Sequence, residues 1–114
     1  VLDYVNRSMR IAWEETFGPV VTIIRVNDYE EAIKIANESE YGLDSCIFTK
    51  SIDKAFDAAQ RIESGSVHIN SHPMHGIGIF PFGGNESSGM GREGIKYSIE
   101  DMSKPHTIVL HSHD

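Results

Sequence analysis

The sequence contains a single cysteine, Cys46, so no disulfide can form within its 114 residues and a reducing, cytoplasmic compartment is expected. No apolar run is long enough to cross a bilayer as a helix, and no signal-peptide pattern is present in these residues. Basic side chains are in deficit: 10 Lys and Arg face 17 Asp and Glu, for a net charge of -7. That balance argues against nucleic acid or an anionic membrane as partner. What remains is a composition 39% hydrophobic, that of a soluble globular protein. The length allows one domain at most, which would bury about two thirds of its unfolded surface if it folded independently. The chain opens on Val1 and reaches strand-like sequence almost at once, so part of a longer polypeptide is expected.

Glycine is the residue in local excess. Gly83, Gly84, Gly89, Gly91 and Gly94 all fall within the stretch 80–94, F-P-F-G-G-N-E-S-S-G-M-G-R-E-G. Such density marks backbone that takes positive φ or passes close to another group. Two phenylalanines flank Pro81, which sets the stretch apart from a Ser/Gly-rich linker. Residues 89–94 match G-x-G-x-x-G letter for letter. A dinucleotide site needs that pattern directly after a buried strand in a βαβ unit. Here Gly84-Asn85-Glu86-Ser87-Ser88 precedes it, so the phosphate reading is rejected.

Along the chain, residues 13–17 suggest a short turn stopped by Gly18-Pro19, and residues 20–26 (V-V-T-I-I-R-V) a strand buried on both faces. Asn27-Asp28 offers an N-cap, with Glu30 and Glu31 in the first turn, to a helix ending near Ser39. Residues 43–49 form a second predicted strand. Ser51 or Asp53 starts a helix with Ala55, Phe56, Ala59 and Ile62 on one face, and Gly65 is its candidate C-cap. Residues 66–70 make a third strand leading into the glycine loop. Residues 94–102 read as a helix ended by Pro105, and residues 107–110 as a last strand whose backbone groups need a neighbour, such as another subunit. Alternating strands and helices of this spacing predict an α/β fold with a largely parallel sheet and function at the carboxyl ends of strands.

Few residues invite chemistry on local grounds. His68, His72 and His75 are spaced as metal ligands only if helical, and they straddle a strand end, a proline and a loop; partly exposed loop histidines are expected and no metal. His111, His113 and Asp114 form a polar tail expected to fray. Cys46 lies in an apolar strand and reads as a small buried hydrophobe. Glu14 and Glu15 stand between Trp13 and Phe17. A carboxylate there could accept a ligand's hydroxyls beside an aromatic face, but on local grounds a solvated acidic turn is the expected reading.

Taken together, Glu14-Glu15-Thr16-Phe17-Gly18-Pro19, Tyr41-Gly42-Leu43, Phe48-Thr49-Lys50, Gly65-Ser66-Val67-His68-Ile69-Asn70, Pro81-Phe82-Gly83-Gly84 and Ser88-Gly89-Met90-Gly91-Arg92-Glu93 resemble the carboxyl-terminal quarter of the NAD(P)-dependent aldehyde dehydrogenase superfamily. The resemblance covers nearly the whole chain in the family's order and spacing. Met9-Arg10-Ile11-Ala12-Trp13-Glu14-Glu15 and Tyr97-Ser98-Ile99-Glu100 look like its non-phosphorylating glyceraldehyde-3-phosphate dehydrogenase branch, and His72-Pro73 with His75-Gly76-Ile77-Gly78 looks like archaeal members.

The resemblance implies the carboxyl-terminal half of an α/β catalytic domain, three-layer αβα with a largely parallel sheet, over residues 1–96. Residues 97–114 would supply a helix and an oligomerisation strand, giving a homo-oligomer, dimer or tetramer. It implies oxidation of a short aldehyde, glyceraldehyde-3-phosphate or glyceraldehyde, with NADP or NAD as cofactor. The family's cysteine nucleophile, general-base glutamate and oxyanion asparagine fall upstream of Val1, so this chain alone is expected to be inactive and Cys46 to have no catalytic role. Glu15 matches the glutamate that holds the nicotinamide ribose hydroxyls, and Phe17 the phenylalanine at the nicotinamide. Phe82 matches the aromatic that lines the substrate tunnel, and residues 71–79, with His75, the substrate-facing loop. Two departures stand out: Glu86 stands where the family usually has a lysine, and the loop near His75 lacks the arginine by which some members of the narrower branch hold the substrate phosphate, so an unphosphorylated aldehyde stays open. An alternative of another class is a self-associating structural module whose uncovered strand edges pair between copies. A weaker third is a small-ligand binder using Glu15, Phe17 and Phe82.

Overall fold

The computed structural model describes residues 1–76 and 78–112; Ile77 of the loop, and His113 and Asp114 of the predicted polar tail, lie outside the described residues. Both long helices begin where a side chain can cap them. Asp28, extended at φ -153°, accepts a 2.9 Å hydrogen bond from the Glu31 amide and opens α1 (Tyr29–Ala36). Ser51 does the same for the Lys54 amide at 3.3 Å and opens α2 (Ile52–Arg61). Between them lie β1 (Tyr41–Gly42) and β2 (Asp44–Ile47), and after them come β3 (Ser66–Ile69), β4 (Asn85–Glu86) and α3 (Ile95–Asp101).

The architecture is α/β, as expected. β2 and β3 pair in parallel, in register from Asp44 opposite Ser66 to Ile47 opposite Ile69, and α2 is the crossover between them. Asn70, at φ 56°, clamps the carboxyl end of this pair: its side-chain oxygen accepts from the Thr49 amide at 2.8 Å and its amide donates to the Thr49 carbonyl at 3.0 Å. β1 instead meets β4 antiparallel, Tyr41 opposite Glu86, which fastens the start of the glycine loop beside the second strand.

Several expectations yield to tertiary context. Residues 20–26 run extended beside the first residues of the chain, with Leu2 N–H donating to the Val21 carbonyl and Ile23 N–H to the Leu2 carbonyl, both at 2.8 Å. Leu2 and Thr22 form an isolated parallel bridge, but Val20, Val21, Ile23 and Val26 stay exposed. Burial on both faces needs covering layers, and none of the described residues supplies them. The expected turn at 13–17 is preceded by a 3-10 turn at Arg10–Ala12. Cys46 is exposed for the same reason as residues 20–26: the β2–β3 pair is open on its side. Gly65 is not the cap of α2, whose C-cap is Ile62 at φ -77° and ψ 123°. Residues 103–112 continue without a helix or ladder partner among the described residues, leaving Ile108 82% and Leu110 92% exposed.

Among the described residues the buried apolar core is thin: Val5, Ile33, Ile35, Ala55 and Ala58, with no large side chain fully enclosed. The radius of gyration is 19.8 Å and the molecule extends 78 Å along its longest axis. A compact domain of this length would have a radius of about 13 Å. The fold is a set of well-capped elements around a small core, with much apolar surface uncovered.

The helices are held to each other largely by polar contacts. Arg61 donates to Asp57 and Glu30, each at 3.0 Å, and again to Glu30 at 2.5 Å, while the Tyr29 hydroxyl donates to Asp57 at 2.7 Å. The Arg61 hydrogen bonds hold the Glu30 carboxyl below its ordinary 4.5. Those from Tyr29 and then Arg61 hold Asp57 below 3.8. Carboxyls depressed in the folded state contribute stability that is present above their ordinary values and is lost as pH falls through the folded ones. An Arg61→Ala variant is therefore expected to be less stable than its parent at neutral pH. The gap should close as the pH drops below the carboxylate range, which urea unfolding at the two extremes measures.

Candidate coenzyme and aldehyde site

Glu14 and Glu15, adjacent in sequence, have opposite surroundings. The 3-10 turn places Arg10 one helical step before Glu14, and its guanidinium grips that carboxylate with bonds of 2.7 and 2.6 Å. Those hydrogen bonds hold the Glu14 carboxyl below the usual range. Glu15 accepts no hydrogen bond from any described residue and stands at the wall of a cleft of about 540 Å³, beside Trp13, Val20, Tyr41, Leu43 and Ser88. Trp13 is pinned by its indole N–H on the Arg7 carbonyl at 2.7 Å. After Glu15 the backbone bends tightly, with Gly18 N–H on the Thr16 carbonyl and Val20 N–H on the Gly18 carbonyl, both 2.8 Å. That bend turns Phe17 outward, 95% exposed, away from the cleft wall.

Phe82 lines a neighbouring cavity of about 450 Å³ formed by the glycine loop, and Leu43 and Ser88 belong to the walls of both spaces. Ser88 also accepts the Gly42 amide at 3.0 Å, which ties the glycine loop to β1 at their common wall. The Phe82 backbone makes a reciprocal pair with Glu93, N–H to carbonyl at 2.9 and 2.7 Å. The His75 ring lies against the Phe82 ring, centroids 4.3 Å apart and planes tilted by 42°. The structure thus places Glu15 and Phe82 in adjoining spaces that share Leu43 and Ser88, sets His75 against Phe82, and leaves Phe17 projecting outward.

The glycines do what their density implied. Gly89, Gly91 and Gly94 adopt φ of 126°, 81° and 133°, and the last directly precedes α3. The strand before them is β4, antiparallel and two residues long, so the G-x-G-x-x-G lookalike belongs to no βαβ unit. Arg92, which sequence reasoning passed over, holds this loop: its guanidinium donates to the Gly84 and Gly91 carbonyls at 2.9 and 2.7 Å and to the Asn85 side chain at 2.6 Å. An arginine directly after Gly91 in a glycine-dense stretch was the available signal.

The histidines part company. His68 faces Asp44 across the β2–β3 register at 3.8 Å, its side chain 17% exposed and its Nε2 without a hydrogen-bond partner among the described residues. His75 sits on Phe82. Among the described residues no three His, Cys, Asp or Glu side chains converge as a metal site would require. The Asp44–His68 proximity also went unread, because it follows from strand register and not from sequence spacing.

A nicotinamide coenzyme fits the residues present. A ribose needs an acceptor for its hydroxyls, and Glu15 has its oxygens free at the wall of a cleft, while Phe17 presents its ring outside that cleft.

Comparison with known proteins identifies the family. The model of the aldehyde dehydrogenase family matches residues 1–108. An NADP-dependent glyceraldehyde-3-phosphate dehydrogenase of Streptococcus equinus is 52% identical over 110 residues, 96% of this chain and 23% of that protein. A lactaldehyde dehydrogenase of Methanococcus maripaludis is 51% identical over 98 residues, 86% of this chain and 21% of that protein. The crystal structure of the Bacillus halodurans NADP-dependent glyceraldehyde-3-phosphate dehydrogenase complexed with NADP superposes with a TM-score of 0.82 at 50% identity, over 85% of this chain and 20% of that one. The chain therefore spans about a fifth of the length of the relatives it matches. With its motifs, its α/β elements and nearly all its residues matched, the chain belongs to the aldehyde dehydrogenase family.

Proposed function

We propose that this chain serves as the carboxyl-terminal portion of a cytoplasmic NADP- or NAD-dependent aldehyde dehydrogenase that oxidises a short hydroxyaldehyde, glyceraldehyde-3-phosphate or glyceraldehyde, to its acid. The observation that carries this reading is the unpaired Glu15 carboxylate in a cleft that shares Leu43 and Ser88 with the cavity of Phe82. Bound coenzyme supplies the hydride acceptor that aldehyde oxidation needs. Glu15 accepts hydrogen bonds from the ribose hydroxyls and so orients the coenzyme's reactive end, while Phe17 offers it an apolar face. Phe82 and His75 frame the aldehyde's approach and exclude water from one side. The nucleophile comes from another part of the polypeptide, since Cys46 lies in β2, away from this region's walls. The exposed apolar segment 107–110 pairs with a second copy, making the enzyme a homo-oligomer, dimer or tetramer.

The test is coenzyme reduction, followed by absorbance, in the polypeptide that carries this chain. Oxidation of one of the two aldehydes is expected there, and none by the 114 residues alone. Turnover by the isolated chain, or no oxidation by the whole polypeptide, would sink the reading.

A further inference from the structure

Phe82 and Glu93 both line the glycine-loop cavity, and tertiary structure sets His75 beside them. Phe82 and Glu93 are locked as a reciprocal backbone pair, so their side chains stand side by side whatever those side chains do. The loop that follows β3 then lays His75 across both: its ring rests on Phe82, and its Nε2 stands 3.6 Å from the Glu93 carboxylate.

The charge at this site follows without reference to the state of the imidazole. If His75 is protonated, Glu93 neutralises it. If His75 is neutral, the carboxylate is uncompensated. In neither case does the pair present a net positive charge. The neighbouring cations are engaged elsewhere: Arg92 spends its donors on Gly84, Gly91 and Asn85, and Lys96 stands 3.8 Å from Glu100. Residues 71–80 contain no lysine or arginine.

We propose that Glu93 is a charge-selecting residue of the aldehyde site, and that this site takes short uncharged hydroxyaldehydes in preference to their phosphorylated counterparts. The inference rests on the reading that the aldehyde enters beside Phe82 and His75. A phosphate dianion placed there meets a carboxylate and, among the described residues of the cavity wall, no cation but Arg92, whose donors are taken, whereas a hydroxyl can donate to Glu93 directly. Both side chains are about 60% exposed, 61% for His75 and 59% for Glu93, so screening keeps the effect moderate.

The experiment compares glyceraldehyde with glyceraldehyde-3-phosphate as substrates of the polypeptide carrying this chain, as parent and as Glu93→Gln. The glutamine keeps the side chain's length, and the main-chain pair to Phe82 does not depend on it. The parent is expected to favour glyceraldehyde. The variant should raise the relative kcat/KM for the phosphorylated substrate about fivefold, the size set by an exposed charge interaction. The change should lie in KM, with kcat held, and should shrink as salt is added. A packing defect would move both substrates alike and ignore ionic strength. A parent that prefers the phosphorylated aldehyde, or a ratio unmoved in Glu93→Gln, would overturn the assignment while leaving the aldehyde dehydrogenase reading intact. Should the variant not fold, the parent's own preference and its salt dependence still decide. Absence of oxidation with either aldehyde would defeat the reading beneath it.

Discussion

Replacing Gly65 by alanine is expected to destabilise the fold by about 3 kcal/mol. A β-carbon built there lies 1.7 Å from the Gly83 carbonyl oxygen, 2.8 Å from the Gly83 carbonyl carbon and 2.9 Å from the Leu43 carbonyl oxygen. All three are main-chain atoms, so no rotamer change relieves the overlap. To admit the methyl group, the glycine loop must part from the turn before β3, and Gly65 must give up its 2.9 Å amide hydrogen bond to Gly42. Overpacking in an ordered interior costs about 1–3 kcal/mol, occasionally more. Here the strain falls on two backbones at once, and the upper end of that range is expected. With so few enclosed apolar side chains, the chain has little reserve to absorb it. Gly18 is the control, since its β-carbon would meet only the Thr16 methyl at 4.0 Å. Chemical denaturation of the two alanine variants should separate them clearly. Equal midpoints would mean that the backbone at Gly65 and Gly83 leaves room for a methyl group.

The second large effect concerns the coenzyme. Glu15→Ala is expected to weaken coenzyme binding by about ten- to a hundredfold. Hydrogen bonds to a charged acceptor contribute roughly 1.5–3 kcal/mol, and about 1.4 kcal/mol is a factor of ten. Glu15→Gln should fall between, because the amide oxygen still accepts but without the charge. Glu14→Ala should leave affinity near that of the parent, since that carboxylate is already committed to Arg10. Calorimetric titration of NADP and NAD into the polypeptide carrying this chain separates the three variants. Undiminished affinity in Glu15→Ala would remove Glu15 from the site.

The two glutamates show how unevenly the site could be read in advance. Motif resemblance singled out Glu15 and Phe17, but only the tertiary structure shows Glu14 consumed by Arg10 and Glu15 left free. His75 and Phe82 were each legible as loop residues near a substrate. That they touch each other, and that Glu93 stands beside them, depends on a loop crossing back over a backbone pair eleven positions apart in the chain.

What the amino-acid sequence determined by itself was local in range. The caps Asp28 and Ser51 each act on an amide three residues ahead, so their helices could be placed from the chain alone. The positive-φ glycines after Ser88 announce their loop because the steric rule they obey concerns one residue at a time. Tertiary structure decided everything that depends on a distant neighbour. Gly65 looks like a helix stop and is a close backbone contact with Gly83. Cys46 and residues 20–26 look like core and are exposed, because burial belongs to the layer that covers a strand and not to the strand. Hydrogen bonds spanning three residues are written in the sequence; packing across forty is settled only when the chain has folded.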